Sequence, residues 1–211
     1  MTSREQMLGQ IRSALGRTAG QAPPPVPAPL IRVPEVPLAA KVEKFCKALE
    51  ALNGKAYVAN SREDARAYAE RLLAGRHAVA SNAPFLAECG ITAIPGVSSG
   101  LSDRLALRQL CAELPLGISS ADYALAETGS LVMISSHEEA RLVSLLPPCH
   151  LAVVPKERLL SGLDELLTIL PKPAERSSSM VFITGPSRTA DIEQFLVRGV
   201  HGPGEIHVVL V

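Results

Sequence analysis

The closing stretch TGPSRTADIEQFLVRGVHGPGEIHVVLV, from Thr184 to Val211, gathers side chains that can hold an anion. Gly185 and Pro186 read as a turn after an apolar strand, and a helix is expected to start near Ser187 or Thr189. Free amides at a helix start, with the positive end of the helix dipole, attract a carboxylate or phosphate. Ser187 and Thr189 add hydroxyl donors, Arg188 can add a bidentate charge, and Asp191 falls in the first turn. The same residues also describe a plain capped helix, because Ser and Thr are favoured caps and Asp suits a first turn. The stretch is no Walker sequence and has no G-x-G-x-x-G, so nucleotide binding has no specific support.

A second candidate is Glu127, in AETGS between two apolar runs. Thr128, Gly129 and Ser130 complete a tight turn in which Gly129 can take a positive φ. A carboxylate there could act as nucleophile or general base, or be an exposed turn residue. His201, beside Gly202 in VHGPGE, could shuttle a proton. His150 and His207 fall at or within strands and read as structural. Arg141 opens a short helix and could clamp a carboxylate or pair with Glu138. No H-x₃-H pair and no H-E-x-x-H helix occurs, so a metal site would need distant residues, and none is expected. The four cysteines, Cys46, Cys89, Cys111 and Cys149, have no C-x₂₋₄-C spacing and read as plain thiols, with no cofactor in this chain.

These residues need a scaffold, and composition says of what kind. The chain has 211 residues, 47% hydrophobic and 20% charged, enough to bury a sizeable core. Lys+Arg and Asp+Glu are both 21, which argues against binding driven by a basic surface. Aromatics are 3% and Trp is absent, so stacking platforms for single strands are not expected either; no nucleic acid partner is predicted. The N-terminus shows no signal peptide and no run reaches a membrane span, which predicts a cytoplasmic protein.

Residues 3–17 read as an amphipathic helix with Met7, Leu8, Ile11 and Leu15 on one side. The following TAGQAPPPVPAPLIRVPEVP cannot continue it and should be an extended arm, so residues 1–37 form an N-terminal helix and arm. From residue 38 to 211, short apolar strands alternate with amphipathic helices. That predicts an α/β domain with a mostly parallel sheet covered on both faces. Expected strands include KAYVA, HAVAS, ITAI, HLAVVP, SMVFITG and IHVVLV. Expected helices include AAKVEKFCKALEALNG stopped by Gly54, SREDARAYAERLLAG opened by Ser61, SDRLALRQLCAEL capped by Ser102, and ERLLSGLDELLTIL. GISSADYALAETGSLVMISS reads as a strand-turn-strand inserted into this order. Ligands of such sheets bind at the carboxyl ends of the strands, which is where the terminal turns are expected to lie.

The segments ADYALAETGSLVMIS, RLVSLLPPCHLAVVP and GPSRTADIEQFLVRGVHGPGEIHVVLV, with the leading IRSALGR, resemble the LUD-domain family over nearly the whole chain. The family's usual turn is Glu-Thr-Gly-Thr, so Ser130 departs from it while keeping the hydroxyl. The resemblance implies a three-layer, Rossmann-like sandwich similar to the sugar-isomerase and CoA-transferase superfamily. It also implies a role in bacterial oxidation of L-lactate to pyruvate, with iron-sulfur clusters held by partner subunits; the anion-holding turn separately points to a small carboxylate or phosphate as ligand. It draws attention to Glu127, Thr128, Gly129, Ser187, Arg188, Thr189, Asp191, His201 and Gly202 as motif positions. An accessory or ligand-binding subunit and a stand-alone small-molecule enzyme both remain open.

Overall fold

The computed structural model describes residues 2–18, 20–22, 24–25, 35–192 and 195–211, with backbone alone over 189–192 and 195–198. The chain divides into two compact units, Met1–Arg32 and Val33–Val211. The first carries helix α1 (Ser3–Ala14), closed by a reciprocal capping box between Thr2 and Glu5. Met7, Ile11 and Leu15 of its apolar stripe are exposed. Most of the proline arm lies outside the described residues.

The second unit opens with α2 (Leu38–Ala51), which buries Phe45 and Leu49. Its end is a Schellman turn: the Asn53 amide donates to the Glu50 carbonyl (2.8 Å) and the Gly54 amide to that of Leu49 (3.0 Å). Asn53, not Gly54, takes the left-handed conformation. Gly54 is a packing residue, since a Cβ there would overlap the Leu49 side chain.

Alternation then proceeds as β1 (Lys55–Val58), α3 (Arg62–Leu73), β2 (Ala78–Ala80), α4 (Pro84–Glu88), β3 (Val97–Ser98), α5 (Arg104–Glu113) and β4 (Leu116–Ser120). Ser61 caps α3 as expected, its Oγ accepting from the Asp64 amide at 3.2 Å. Asp103, rather than Ser102, caps α5, with Oδ1 accepting from the amides of Leu105 (2.6 Å) and Ala106 (3.1 Å). The ITAI segment is a 3₁₀ turn over Ile91–Ala93 instead of a strand. Ile91 and Ile94 are both buried, and i, i+3 spacing puts them on one side of such a turn.

The inserted strands β5 (Tyr123–Leu125) and β6 (Ser130–Ile134) form an antiparallel hairpin, followed by α6 (Arg141–Leu145) and β7 (Cys149–Val154). ERLLSGLDELLTIL is not helical throughout: β8 (Leu159–Leu160) pairs with β5, and α7 (Leu163–Ile169) begins only after Gly162. The amides of Ala126 and Glu127 take the carbonyls of Leu160 and Ser161, which holds the first part extended. After α8 (Pro173–Arg176) comes β9 (Met180–Ile183), which pairs antiparallel with β6 rather than joining the parallel sheet.

The helix expected near Thr189 is absent. Strands β10 (Arg188–Ile192) and β11 (Phe195–Arg198) form an antiparallel hairpin there, with Thr189 opposite Val197. The Ser187 amide donates to the Pro203 carbonyl (2.9 Å) and the Gly199 amide to the Ser187 carbonyl (3.0 Å). The segment is rich in Thr, Ile, Phe and Val, residue types that favour strands, and this pairing outweighs the cap-like GPSRT pattern.

With β12 (Glu205–Leu210) the main sheet is complete: β1-β12-β7-β4-β2-β3, parallel throughout. A second, mixed sheet runs β8-β5-β6-β9. One face of the main sheet packs Leu151, Val153 and Val209 against Ala65, Ala69 and Leu73 of α3. The other face packs Val154, Val208 and Leu210 against Phe45 and Leu49 of α2 and against Ala124 and Leu131 of the second sheet. The result is three layers, helix, sheet and a mixed layer of helix and small sheet, as the alternation predicts.

Candidate functional site

Strand order locates the crevice. β2 and β4 are neighbours in the sheet, but after β2 the chain goes to β3 on one side, and after β4 it passes through the β5–β6 hairpin and re-enters the sheet at β7 on the other. Connections diverging from adjacent parallel strands open a gap at their carboxyl ends, the topological switch point where ligands of open α/β sheets bind. Residues 83–85 after β2 and 120–122 after β4 line a hollow of about 480 Å³ at that point, with Ser136, Glu139, Pro155 and Arg158. A second hollow of about 500 Å³ lies across the 136–140 loop, lined by Asn82, Ser102, Arg104 and His137 among others.

The loop between them, SSHEEA, is built to press one carboxylate inward. The Ser136 hydroxyl accepts from the amides of Glu138 (3.1 Å) and Glu139 (3.0 Å), forming a tight turn. The Asn82 amide donates to the Glu138 carbonyl at 2.8 Å, which ties the loop to the end of β2. Glu138 then faces solvent, while Glu139 is only 6% exposed.

Glu139 Oε2 accepts from the Ser81 hydroxyl (2.7 Å) and from the Ser120 amide (3.2 Å). Its Oε1 is buried with no partner among the described residues. Burial pushes its carboxyl up to about 8; the Ser81 and Ser120 bonds oppose the rise and the nearby Asp122 charge adds to it. Asp122 is also raised by burial, against the opposing pull of the Ile134 amide, Arg158 and Arg176. Its Oδ2 accepts from the Ile134 amide at 2.7 Å. Arg158 rests over the Tyr123 ring, 5.3 Å from its centroid, at the exposed rim. The cleft therefore couples a carboxylic acid that keeps its proton near neutral pH to a serine hydroxyl and a rim guanidinium. A protonated acid can donate to an incoming oxygen, and the guanidinium attracts a carboxylate or phosphate.

The residues singled out in the sequence gather elsewhere. Ser187 and Gly202 come together, since a Cβ on Gly202 would lie 3.4 Å from that of Ser187, and His201 beside Gly202 is exposed. Their loop precedes β12, and the Gly204 amide donates to the Pro148 carbonyl just before β7. It therefore sits at the amino ends of the parallel strands, opposite to the expected carboxyl ends. The GPSRT and ETGS turns sit there too, against the end of α2. Gly129 (φ 64) lets the hairpin turn touch the α2 backbone: a Cβ would stand 2.5 Å from the Leu49 nitrogen. Gly185 (φ 76) lets the other turn press on the Leu52 side chain just after α2, where a Cβ would stand 2.8 Å from the Leu52 Cβ. The Arg188 guanidinium donates to the Leu52 carbonyl and so caps α2.

A hydroxyl chain joins the two turns, Thr128 to Ser130 (2.7 Å) and Ser130 to Thr184 (2.8 Å). Glu127 is exposed, with its carboxylate lying over Gly162. Arg141 opens α6 and is exposed, outside the lining of either hollow. The side chains of Thr189 and Asp191 lie outside the described residues, and their backbone is strand. Sequence reading missed Glu139, Ser81, Asp122 and Arg158. For Glu139 and Asp122 the signal available was SSHEEA and SSADY, polar runs at the ends of apolar strands.

Comparison with known proteins agrees with this architecture. A family model described as the LUD domain matches residues 42–211. The chain is similar to proteins named lactate utilization protein C. That of Halalkalibacterium halodurans is 45% identical over 92 residues, 42% of this chain and 40% of that protein. That of Exiguobacterium sp. is 37% identical over 110 residues, 50% of this chain and 48% of that protein. That of Bacillus subtilis is 39% identical over 100 residues, 46% and 42% of the two. The matched region thus spans less than half the length of each relative. A crystal structure of a DUF162 family protein from Deinococcus radiodurans superposes with a TM-score of 0.64, covering 84% of this chain and 99% of that one. At 16% identity the likeness is one of fold.

Proposed function

The chain belongs to the LUD domain family, and from that premise we propose that it serves lactate utilization as a ligand-binding or accessory subunit. In this reading L-lactate is oxidised to pyruvate by a complex whose iron-sulfur clusters sit in partner subunits. The observation that carries the reading is the similarity to relatives named lactate utilization protein C. The switch-point cleft supplies the place for a small acid. Arg158 is the group that would attract its carboxylate, and the Glu139 acid is the group that would meet its oxygens.

The test has two arms. Co-expression with candidate iron-sulfur subunits should give a co-purifying complex, and the chain alone should show no lactate oxidation at enzymatic rates. Calorimetric titration of L-lactate into the chain should give binding that Arg158→Ala weakens by about tenfold, the loss of one charge-assisted contact. Lactate oxidation by the isolated chain would overturn the accessory role.

One observation favours a second reading. A buried carboxyl that keeps its proton near neutral pH, in a cleft, is what a general acid needs. The chain would then be a small-molecule enzyme acting on a carboxylated or phosphorylated metabolite. Its acid would be Glu139, in place of the Glu127 and Ser187–Thr189 set that the sequence alone suggests. Turnover by the isolated chain, lost in Glu139→Gln, would select this reading.

A further inference from the structure

Cys149, Glu205 and His207 present a sulfur, a carboxylate oxygen and a ring nitrogen that all lie within 4.8 Å of one another. Parallel pairing explains the meeting. Glu205 opens β12 directly opposite Cys149 at the start of β7. His207, two residues on, projects from the same face of the sheet as Glu205. We propose that these three side chains form a binding site for a zinc-class divalent cation at the amino edge of the main sheet.

The ligand set fits that chemistry. Zinc takes thiolate, imidazole and carboxylate at about 2.0–2.3 Å, with three protein ligands and an open fourth position as one common arrangement. Donor atoms already within 4.8 Å of one another need only small rotamer shifts to surround one ion, and Glu205, the exposed member, can make them once it leaves Lys55. One thiolate and one carboxylate neutralise a divalent charge.

The surroundings are already arranged for coordination through one ring nitrogen. His207 Nδ1 pairs with the Tyr68 hydroxyl at 2.7 Å, and Nε2 faces Glu205 Oε1 at 3.1 Å. A ligating histidine typically has its second nitrogen held by such a partner, which fixes both tautomer and ring angle. Tyr68 is itself fixed by stacking on Tyr57, ring centroids 4.6 Å apart. Burial holds the His207 imidazole below its ordinary range, hence neutral and able to coordinate. The Cys149 thiol is pushed up to about 11 by burial and by Glu205, so the metal must displace its proton, which leaves to solvent. The Lys55 ammonium, bonded to Glu205, is the competitor that an incoming cation releases.

This site is distinct from the cleft. In the β4–β7 register, Cys149 lies opposite Leu116, four residues before Ser120. At about 3.3 Å per residue, ~13 Å of strand separates it from the cleft. Its role is therefore to tie β7 to β12 and to hold the loop that carries His201.

The test is a Co²⁺ titration of the full chain after chelator treatment. One Co²⁺ per chain should bind with a thiolate-to-cobalt charge-transfer band, and Zn²⁺ should displace it. Cys149→Ser should abolish the band. Tyr68→Phe and Glu205→Gln should each weaken binding by about tenfold or more, Lys55→Gln should tighten it, and Cys46→Ser should leave it unchanged. No band, a band that survives in Cys149→Ser, or one lost with Cys46→Ser would overturn the proposal. Should Cys149→Ser fail to fold, unchanged affinity in both Tyr68→Phe and Glu205→Gln would overturn it instead.

Discussion

Replacing Glu139 with Gln tests the cleft through stability alone, before any ligand is known. In the unfolded chain this carboxyl loses its proton near 4.5; in the folded chain burial holds the proton to about 8. Below pH 4.5 both states are protonated and ionisation costs nothing. Between 4.5 and 8 the folded state binds one more proton than the unfolded, so stability falls as pH rises. At ~1.4 kcal/mol per pH unit the loss is about 3 kcal/mol by pH 7 and on the order of 5 kcal/mol above pH 8. Glutamine keeps the shape and an acceptor for the Ser81 hydroxyl and the Ser120 amide, and it carries no proton to lose. Urea denaturation of both proteins from pH 5 to pH 9 should therefore give nearly equal stability at pH 5. The variant should become more stable by several kcal/mol at pH 9. The difference between the two curves cancels the titrating groups that do not interact with Glu139, leaving Glu139 and its neighbour Asp122. Parallel curves across that range would refute the raised proton affinity, and with it the protonated acid in the cleft.

Other substitutions probe the scaffold. Gly129→Ala combines a left-handed backbone with overlap on the Leu49 backbone. It should cost at least about 3 kcal/mol, lowering Tm by roughly 6–12 °C in a scanning calorimeter. Arg188→Ala removes the guanidinium from the Leu52 carbonyl. Chemical denaturation should show a loss of about 0.5–1 kcal/mol, and calorimetry no change in ligand affinity at the cleft. Asp103→Ala should cost about 1 kcal/mol by deleting the α5 cap, whereas Ser102→Ala should change stability by under about 0.5 kcal/mol.

The parts of the fold readable from the sequence were those set by local pattern. The apolar runs of β7 and β12 and the period of α3 announce themselves, because a strand buried on both faces must be continuously apolar and a surface helix must be striped. The β5–β6 hairpin was readable for a similar reason: two apolar runs joined by a turn residue that tolerates positive φ. What failed depended on partners. Leu159–Leu160 looks helical in isolation and is held extended by the edge of β5. Residues 188–198 carry a good cap pattern, yet the Ser187 amide is taken by the Pro203 carbonyl. The pairing of β9 with β6 in the second sheet, which leaves the GPSRT turn at the amino edge of the parallel strands, is a long-range property that no window of sequence contains.

The same distinction explains why the candidate residues changed. Sequence attention went to glycine-rich turns because their residue types are so constrained. At Gly129 and Gly185 the constraint is steric: one turn must approach the α2 backbone, and the other the Leu52 side chain just after α2, more closely than any Cβ permits. Such a pattern is specific, and what it specifies is contact. Glu139 carries no comparable mark, since one Glu in SSHEEA looks like the next. Its chemistry arises from position: the Ser136 turn rotates Glu138 outward and Glu139 inward, and the switch point gives the inward carboxylate a cavity to face. Ser81 and Ser120, brought beside it by the neighbouring ends of β2 and β4, then supply its hydrogen bonds. A reactive proton affinity here is a product of the assembled sheet, and for that reason the pH dependence of Glu139→Gln is the sharpest probe of where function resides.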